Sequence, residues 1–536
     1  MTRRIFYLAV ILTGLSFFVA PGALADEPAP GPQESAAADE VDEEVLRSES
    51  ELLAKAAEIA EQVAEIRGLP LKKSIPKGVQ DRDELRDMLV HHFEEEISAE
   101  EFEAEARVFR LMGLFDEDFD YRELMLDLYT EQIAGFYDQS QGELYIMRGL
   151  PEPLQKLTMA HEIFHAIQDQ HFDIGAMLAP FESQENSDFF LARMALIEGD
   201  ATVLMFDYEL YERGDLPQNR ARSFIDVPMM AAILLELDAT DFSAVEQMRT
   251  PDAVDIGADG VPSLTDSVLG QAPPIVRDTM LFPYVDGMKF VIRARAGRTW
   301  SEFDRIYYEP PVSTSQILHP ELYFDEIYPL EIRFDVSGAL PGYEMIYEKT
   351  FGELHIRSWL TSLFSEVSRP PDVQDIAQGW MGDRLKAYES PNGELIAVHL
   401  STWDSDDNAR DFAETLKEGV RLRHETTSVH QRGRHGESWC MRSGSQRKGQ
   451  RICVERWGEL VLYVEGAPSM LDDQGQETNP ALYLVRQALW DTHQRLPFEE
   501  VLAQRKAELE DRSEGQLEDQ DHSDPIPAAD EPPQPQ

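Results

Sequence analysis

One pentapeptide restricts this chain more than any other stretch: His161-Glu162-Ile163-Phe164-His165. Histidines four residues apart stand one turn apart on the same helical face, so both rings can reach a single ion. The flanking residues supply the helix they need. Pro153 suits a first turn, and Leu157, Ala160, Phe164 and Ile167 recur at helical spacing, which predicts a helix from Leu154 to Phe172. Glu162, next to the first histidine, then points near the open side of the ion, where it can deprotonate a bound water. The plain competitor is a surface helix that carries two histidines by accident. A second carboxylate segment downstream weighs against it.

A catalytic zinc ion takes three protein ligands and keeps its fourth position for water. Two residues compete to be the third ligand. Glu198 lies in Ala195-Leu196-Ile197-Glu198-Gly199-Asp200-Ala201-Thr202, beside an apolar helical stripe of Phe190, Met194, Ile197, Ala201, Met205 and Tyr208. Gly199 in mid-helix is about 1 kcal/mol worse than alanine, which makes sense where another backbone must come close. His171 has the spacing of H-E-x-x-H-x-x-G-x-x-H, but the glycine that would turn that chain sharply is Gln168 here. A left-handed backbone costs a residue with a side chain roughly 1–2 kcal/mol, so Glu198 is the better ligand and His171 extends the helix face. Asp169 or Asp200 is the candidate for orienting a ligand histidine.

His161 to His165 followed by Glu198 on a separate helix resembles the gluzincin type of zinc metallopeptidase. The longer strings His161–Asp173 and Glu198–Thr202 resemble a group of little-characterised bacterial proteins read as zinc-dependent peptidases. Gly135-Phe136-Tyr137-Asp138 and Ser313–Pro320 are similar to segments of the same group, and the likeness covers roughly residues 45–360. The resemblance implies Zn2+ held by His161, His165 and Glu198, with Glu162 as general base. Peptidases of this kind often use a His or Tyr to hydrogen-bond the transition-state oxyanion, and the candidates here are His319 and Tyr284. The resemblance brings no knowledge of the substrate.

Composition narrows the partners. Lys and Arg number 48 against 101 Asp and Glu, a net charge of −53. Such a surface repels nucleic acid and anionic membrane, so neither is an expected partner. Residues 1–25 read as a signal peptide, with Arg3-Arg4 ahead of the apolar run Ile5–Ala20 and a small-residue cleavage site at Ala23-Leu24-Ala25. The run is too short for a stable span, and no other stretch can cross a bilayer. The mature protein is therefore expected to be exported, to a periplasm or beyond the cell. Cys440 and Cys453, the only cysteines, lie in one predicted hairpin. In an oxidising compartment they form a disulfide, which stabilises by roughly 3 kcal/mol.

Taken in order, residues 26–41 read as a disordered linker and 42–367 as the zincin-like metallopeptidase domain. An α+β C-terminal domain follows at 368–497, after Ser368-Arg369-Pro370-Pro371, and 498–536 reads as a disordered tail. Helices are expected at Glu43–Arg67, Arg82–Phe109, Tyr121–Gln132 and 218–250, with a loop at 252–274 and a helix from Val285 to Ala296 opened by Phe282-Pro283-Tyr284. Gly135–Asp138 and Glu143–Met147 flank a glycine-containing turn and predict a β-hairpin. The expected fold is thus α+β: a mainly helical zincin-like domain with a small β-hairpin or sheet, then a smaller α+β domain. The expected activity is an exported zinc metallopeptidase acting on peptides or proteins. Its rival is a non-catalytic cell-envelope scaffold with a structural or vestigial metal site; a zinc hydrolase of another amide or ester would use the same machinery. Oligomeric state is not written in the sequence.

Overall fold

A computed structural model describes residues 38–521, apart from 97, 133–134, 140, 182–184, 217–222, 236–266, 425–428, 434–435, 443–449, 469, 472–476 and 479. The expected signal peptide, most of the expected linker and most of the 218–250 and 252–274 segments lie outside the described residues. The architecture is α+β, a helical region followed by a sheet-containing one.

The helical region is built around three helices. Helix α1 (Ala38–Arg67) buries Ala56, Ile59, Ala60, Val63 and Ile66 against two partners. One is the helix of the pentapeptide; the other carries Glu198. Between α1 and the pentapeptide helix come strand β1 (Lys77–Gln80) and helices α2 (Arg82–Glu96), α3 (Ala99–Met112) and α4 (Tyr121–Gln132). The single helix expected over 82–109 is split because Ser98 and Glu101 form a capping box that starts α3 afresh. The predicted hairpin is present as β2 (Gly135–Asp138) and β3 (Glu143–Met147). It gains β1, parallel to β3, to make a sheet of order β1-β3-β2.

Helix α5 (Glu152–Phe172) follows, then the short α6 (Ile174–Leu178) and the long α7 (Ser187–Glu212). Helix α7 is buried on nearly every side, with its charged Asp188, Arg193, Glu198, Asp200 and Asp207 buried too. The helix Pro274–Arg295 crosses it with no room for a side chain between them. A Cβ on Gly199 would lie 2.2 Å from the carbonyl carbon of Gly287, and one on Gly287 would lie 2.2 Å from the Ala195 oxygen. The glycine in mid-helix thus marks a backbone contact, as expected. Phe282-Pro283-Tyr284, however, does not open that helix. It begins at Pro274 and carries Pro283 inside it, because Ile275, Val276, Leu281 and Phe282 are buried and their packing holds the helix through the one hydrogen bond proline cannot make.

Among the described residues the main sheet of the second region has seven strands in the order β5-β6-β7-β11-β10-β9-β8, every neighbour antiparallel. They are β5 (Glu344–Lys349), β6 (Trp380–Glu389), β7 (Leu395–Trp403), β8 (Val429–Gly433), β9 (Gly436–Arg442), β10 (Gln450–Trp457) and β11 (Leu460–Pro468). One face, with Leu385, Ala387, Val461 and Tyr463, joins the helical region's core through Trp359, Phe412 and Leu416. The other, with Ile396, Val398, Leu400 and Val464, is covered by Leu482, Val485 and Leu489 of the helix Pro480–Thr492. Cys440 and Cys453 face each other across β9 and β10 and are disulfide-bonded.

Two domain limits need correction. The sheet region starts at β5, ahead of the boundary expected at 368, because the Pro370-Pro371 break falls between two helices of that region and not before its first strand. The tail is ordered further than expected. Strand Gln494–Pro497 pairs with β4 (Leu330–Arg333), and a helix runs from Phe498 to Asp521. Phe498 and Val501, one turn apart among charged residues, bury against Phe181, Phe189 and Val312. Among the described residues no helix is long and apolar enough to cross a membrane.

Candidate metal centre

Helix α5 packs its apolar side on α1 and turns His161 and His165 toward α7, where Glu198 meets them. All three side chains are buried. Glu198 Oε2 stands 3.0 Å from His161 Nε2 and 3.3 Å from His165 Nε2, and the ligand atoms lie within 4.8 Å of one another. Ligands about 2.0–2.1 Å from a tetrahedral zinc ion are about 3.3 Å apart, so these spacings suit one ion. Glu198 Oε1 and Glu162 Oε1 are buried with no hydrogen-bond partner among the described residues, and His165 Nε2 meets Glu198 Oε2 only at 3.3 Å. Leaving such atoms bare costs about 1–3 kcal/mol each. Two imidazole nitrogens and a carboxylate are also the donor set of catalytic zinc, so the residues present fit that ion.

The charges follow from this packing. Burial works against the Glu198 carboxylate, but the two histidines outweigh it and hold its pKa down to about 2. Burial likewise works against charging His165, yet Glu198, Glu162 and Gln168 raise it to about 9. His161 is lowered, chiefly by burial. Burial, with the nearby Glu198 charge, pushes Glu162 up to about 8. A carboxylate that binds a proton this readily suits general-base work near neutrality. The backbone N–H of Tyr137 in β2 donates to Glu162 Oε2 at 3.0 Å, which pins one oxygen and leaves the other bare.

The remaining candidates separate. Tyr284 lies one turn before Gly287, and the helix crossing carries its ring to 6.1 Å from that of His161, 28° from parallel. His319 is held instead by Glu353, 2.9 Å from its Nε2, with Arg357 at 3.3 Å. His171 Nε2 bonds the Pro70 carbonyl at 2.8 Å. Asp169 accepts from the Tyr137 hydroxyl at 3.1 Å and from Gln139 at 3.0 Å, which ties the hairpin to α5 and orients no histidine. Asp200 bonds Arg67 and Tyr307. The direct partner of a ligand histidine is a residue whose role the sequence did not disclose: Gln168, whose Oε1 is 2.8 Å from His165 Nδ1. Its signal is the three-residue step from His165, which places the two on one helical face.

A family model described as a domain of unknown function, DUF8575, matches residues 343–475. That stretch is the seven-stranded sheet with the helices Gly352–Leu363, Val373–Ala377 and Asp406–His424, and it contains none of the metal-centre residues. No curated protein and no solved structure matches the chain.

Proposed function

We propose that this chain is an exported zinc-dependent hydrolase of peptide bonds. One observation carries the reading. Glu162, a residue with no part in holding an ion, stands beside the three-ligand cluster with one oxygen fixed by Tyr137 and the other bare. A structural zinc site fills all four positions from the protein and has no use for such a base. When bound, zinc supplies a lowered pKa to its water and polarises a carbonyl. His161, His165 and Glu198 would hold it. Glu162 Oε1 would take a proton from an attacking water and return it to the leaving amine, and Tyr284, whose ring stands 6.1 Å from that of His161, would steady a developing oxyanion. Export rests on the apolar segment of residues 1–25.

The test begins with metal analysis of the mature protein, which should carry about one zinc per chain. Substrates are then found by digesting a broad peptide library. Glu162→Gln keeps size and most hydrogen bonding, so zinc content and melting temperature should hold while cleavage falls by about 10²-fold or more. Chelator should abolish the wild-type activity and added zinc restore it. A zinc-loaded wild type that cleaves nothing favours the scaffold; equal cleavage by both proteins defeats the mechanism.

A further inference from the structure

We infer that Gln168, Tyr307 and Asp200, anchored by Arg67, form a one-way hydrogen-bond relay that fixes the proton on His165 Nδ1 and so presents the Nε2 lone pair to the metal. The inference rests on the zinc reading above and adds positioning residues to it.

Each direction in the relay follows from what the groups can do. Arg67, the last residue of α1, is buried and can only donate. Its Nε is 3.1 Å from Asp200 Oδ1 and its Nη2 is 3.0 Å from Asp200 Oδ2, with Asp304 at 2.7 Å and the Trp300 ring 4.0 Å from the guanidinium. Burial alone would weaken the Arg67 charge, but Asp200 and Asp304 raise its pKa, so the guanidinium stays charged. A carboxylate only accepts, so the Tyr307 hydroxyl, 2.8 Å from Asp200 Oδ2, donates to it. Burial and the Asp200 charge push that phenol well above its usual range, so it keeps its proton.

The Tyr307 oxygen is then free to accept, and Gln168 Nε2 donates to it at 2.7 Å. The same nitrogen donates to the Ile197 carbonyl at 2.9 Å, an acceptor with no choice of role. The amide is therefore oriented from two sides, with its oxygen toward His165. That oxygen accepts from Nδ1 at 2.8 Å, which leaves Nε2 as the nitrogen facing Glu198 and the ion. The relay joins the end of α1, α7 and the segment after the Pro274–Arg295 helix to a single ring on α5. A ligand histidine's outer partner typically affects metal affinity 10–100-fold.

The experiment measures zinc Kd of the full mature chain by chelator competition, for wild type, Gln168→Met and Tyr307→Phe. Met keeps the volume and removes the acceptor, so affinity should fall about 10–100-fold. Tyr307→Phe should fall about tenfold, because the amide loses the partner that orients it. Melting curves in chelator show whether each variant folds. A merely packing role for Gln168 would leave Tyr307→Phe at wild-type affinity, because that variant loses only the hydroxyl bonded to Gln168 and Asp200, so it separates positioning from structure. Wild-type affinity in Gln168→Met or in Tyr307→Phe overturns the relay while leaving the zinc reading standing. If Gln168→Met fails to fold, unchanged affinity in Tyr307→Phe overturns it. A wild type that binds no zinc overturns the relay and the zinc reading together.

Discussion

Glu198 in the helical region and Glu465 on β11 are both buried glutamates held below their ordinary pKa by cationic neighbours, yet they are built differently. Glu465 has both oxygens engaged. Oε1 takes Arg423 at 2.8 Å and His424 at 3.2 Å, while Oε2 takes the Tyr463 hydroxyl and a second Arg423 nitrogen at 3.5 Å. Among the described residues the partners of Glu198 are imidazoles, and its Oε1 is bare. A carboxylate closed by a guanidinium needs nothing more, since arginine never gives up its proton. Beside two imidazoles the positive charge is on loan, and a metal ion can replace the protons. The difference between the two regions is thus one of exchangeable against permanent charge.

The largest expected effect tests that contrast directly. Glu198→Ala should weaken zinc binding by about 100-fold or more, whereas Glu465→Ala should leave it within about twofold, both read by chelator competition on folded protein. Equal losses would erase the distinction. A second measurement reverses the ranking. Glu465→Gln leaves Arg423, only a fifth exposed, without its counter-charge and should cost about 2–3 kcal/mol in urea unfolding. Glu198→Gln in chelator should cost under about 1 kcal/mol, because its histidines can shed their protons. The sign of the pH dependence follows from the lowered pKa of Glu465, where Arg423 and His424 overcome the opposing effect of burial. Its stabilisation is whole above the ordinary value of 4.5 and is lost as pH falls through the lower folded value, so the gap between wild type and Glu465→Gln should close in acid. The smallest effect is at His171. Its ring is spent on the Pro70 carbonyl, so His171→Ala should move zinc affinity by less than about twofold; a larger loss would make it a ligand.

What could be read from the sequence was local. The α5 helix, the one-turn histidines and the stripe beside Glu198 all repeat within a few residues, and Gly199 announced a close approach without naming Gly287 as its partner. The hidden parts depend on residues distant in the chain. Arg67, Asp200 and Tyr307 meet only after three helices have packed, so Asp200 could be suspected as a histidine's support while Gln168, between them, could not. Strand β1 shows no alternation in Lys77-Gly78-Val79-Gln80 and exists because β3 pairs with it. Pro283 misled for the opposite reason: its local meaning, a helix start, is overridden by the burial of its neighbours.

The stacking of Phe498 on Phe181, with ring centroids 5.6 Å apart, bears on how the chain is made. Phe181 and Phe189, which begins the helix that carries Glu198, leave the ribosome while most of the protein is still unsynthesised. Part of their apolar cover arrives only with Phe498 and Val501. A product cut short anywhere before Phe498 therefore shows aromatic surface to the cell, the feature by which chaperones and quality-control proteases tell unfinished chains from finished ones.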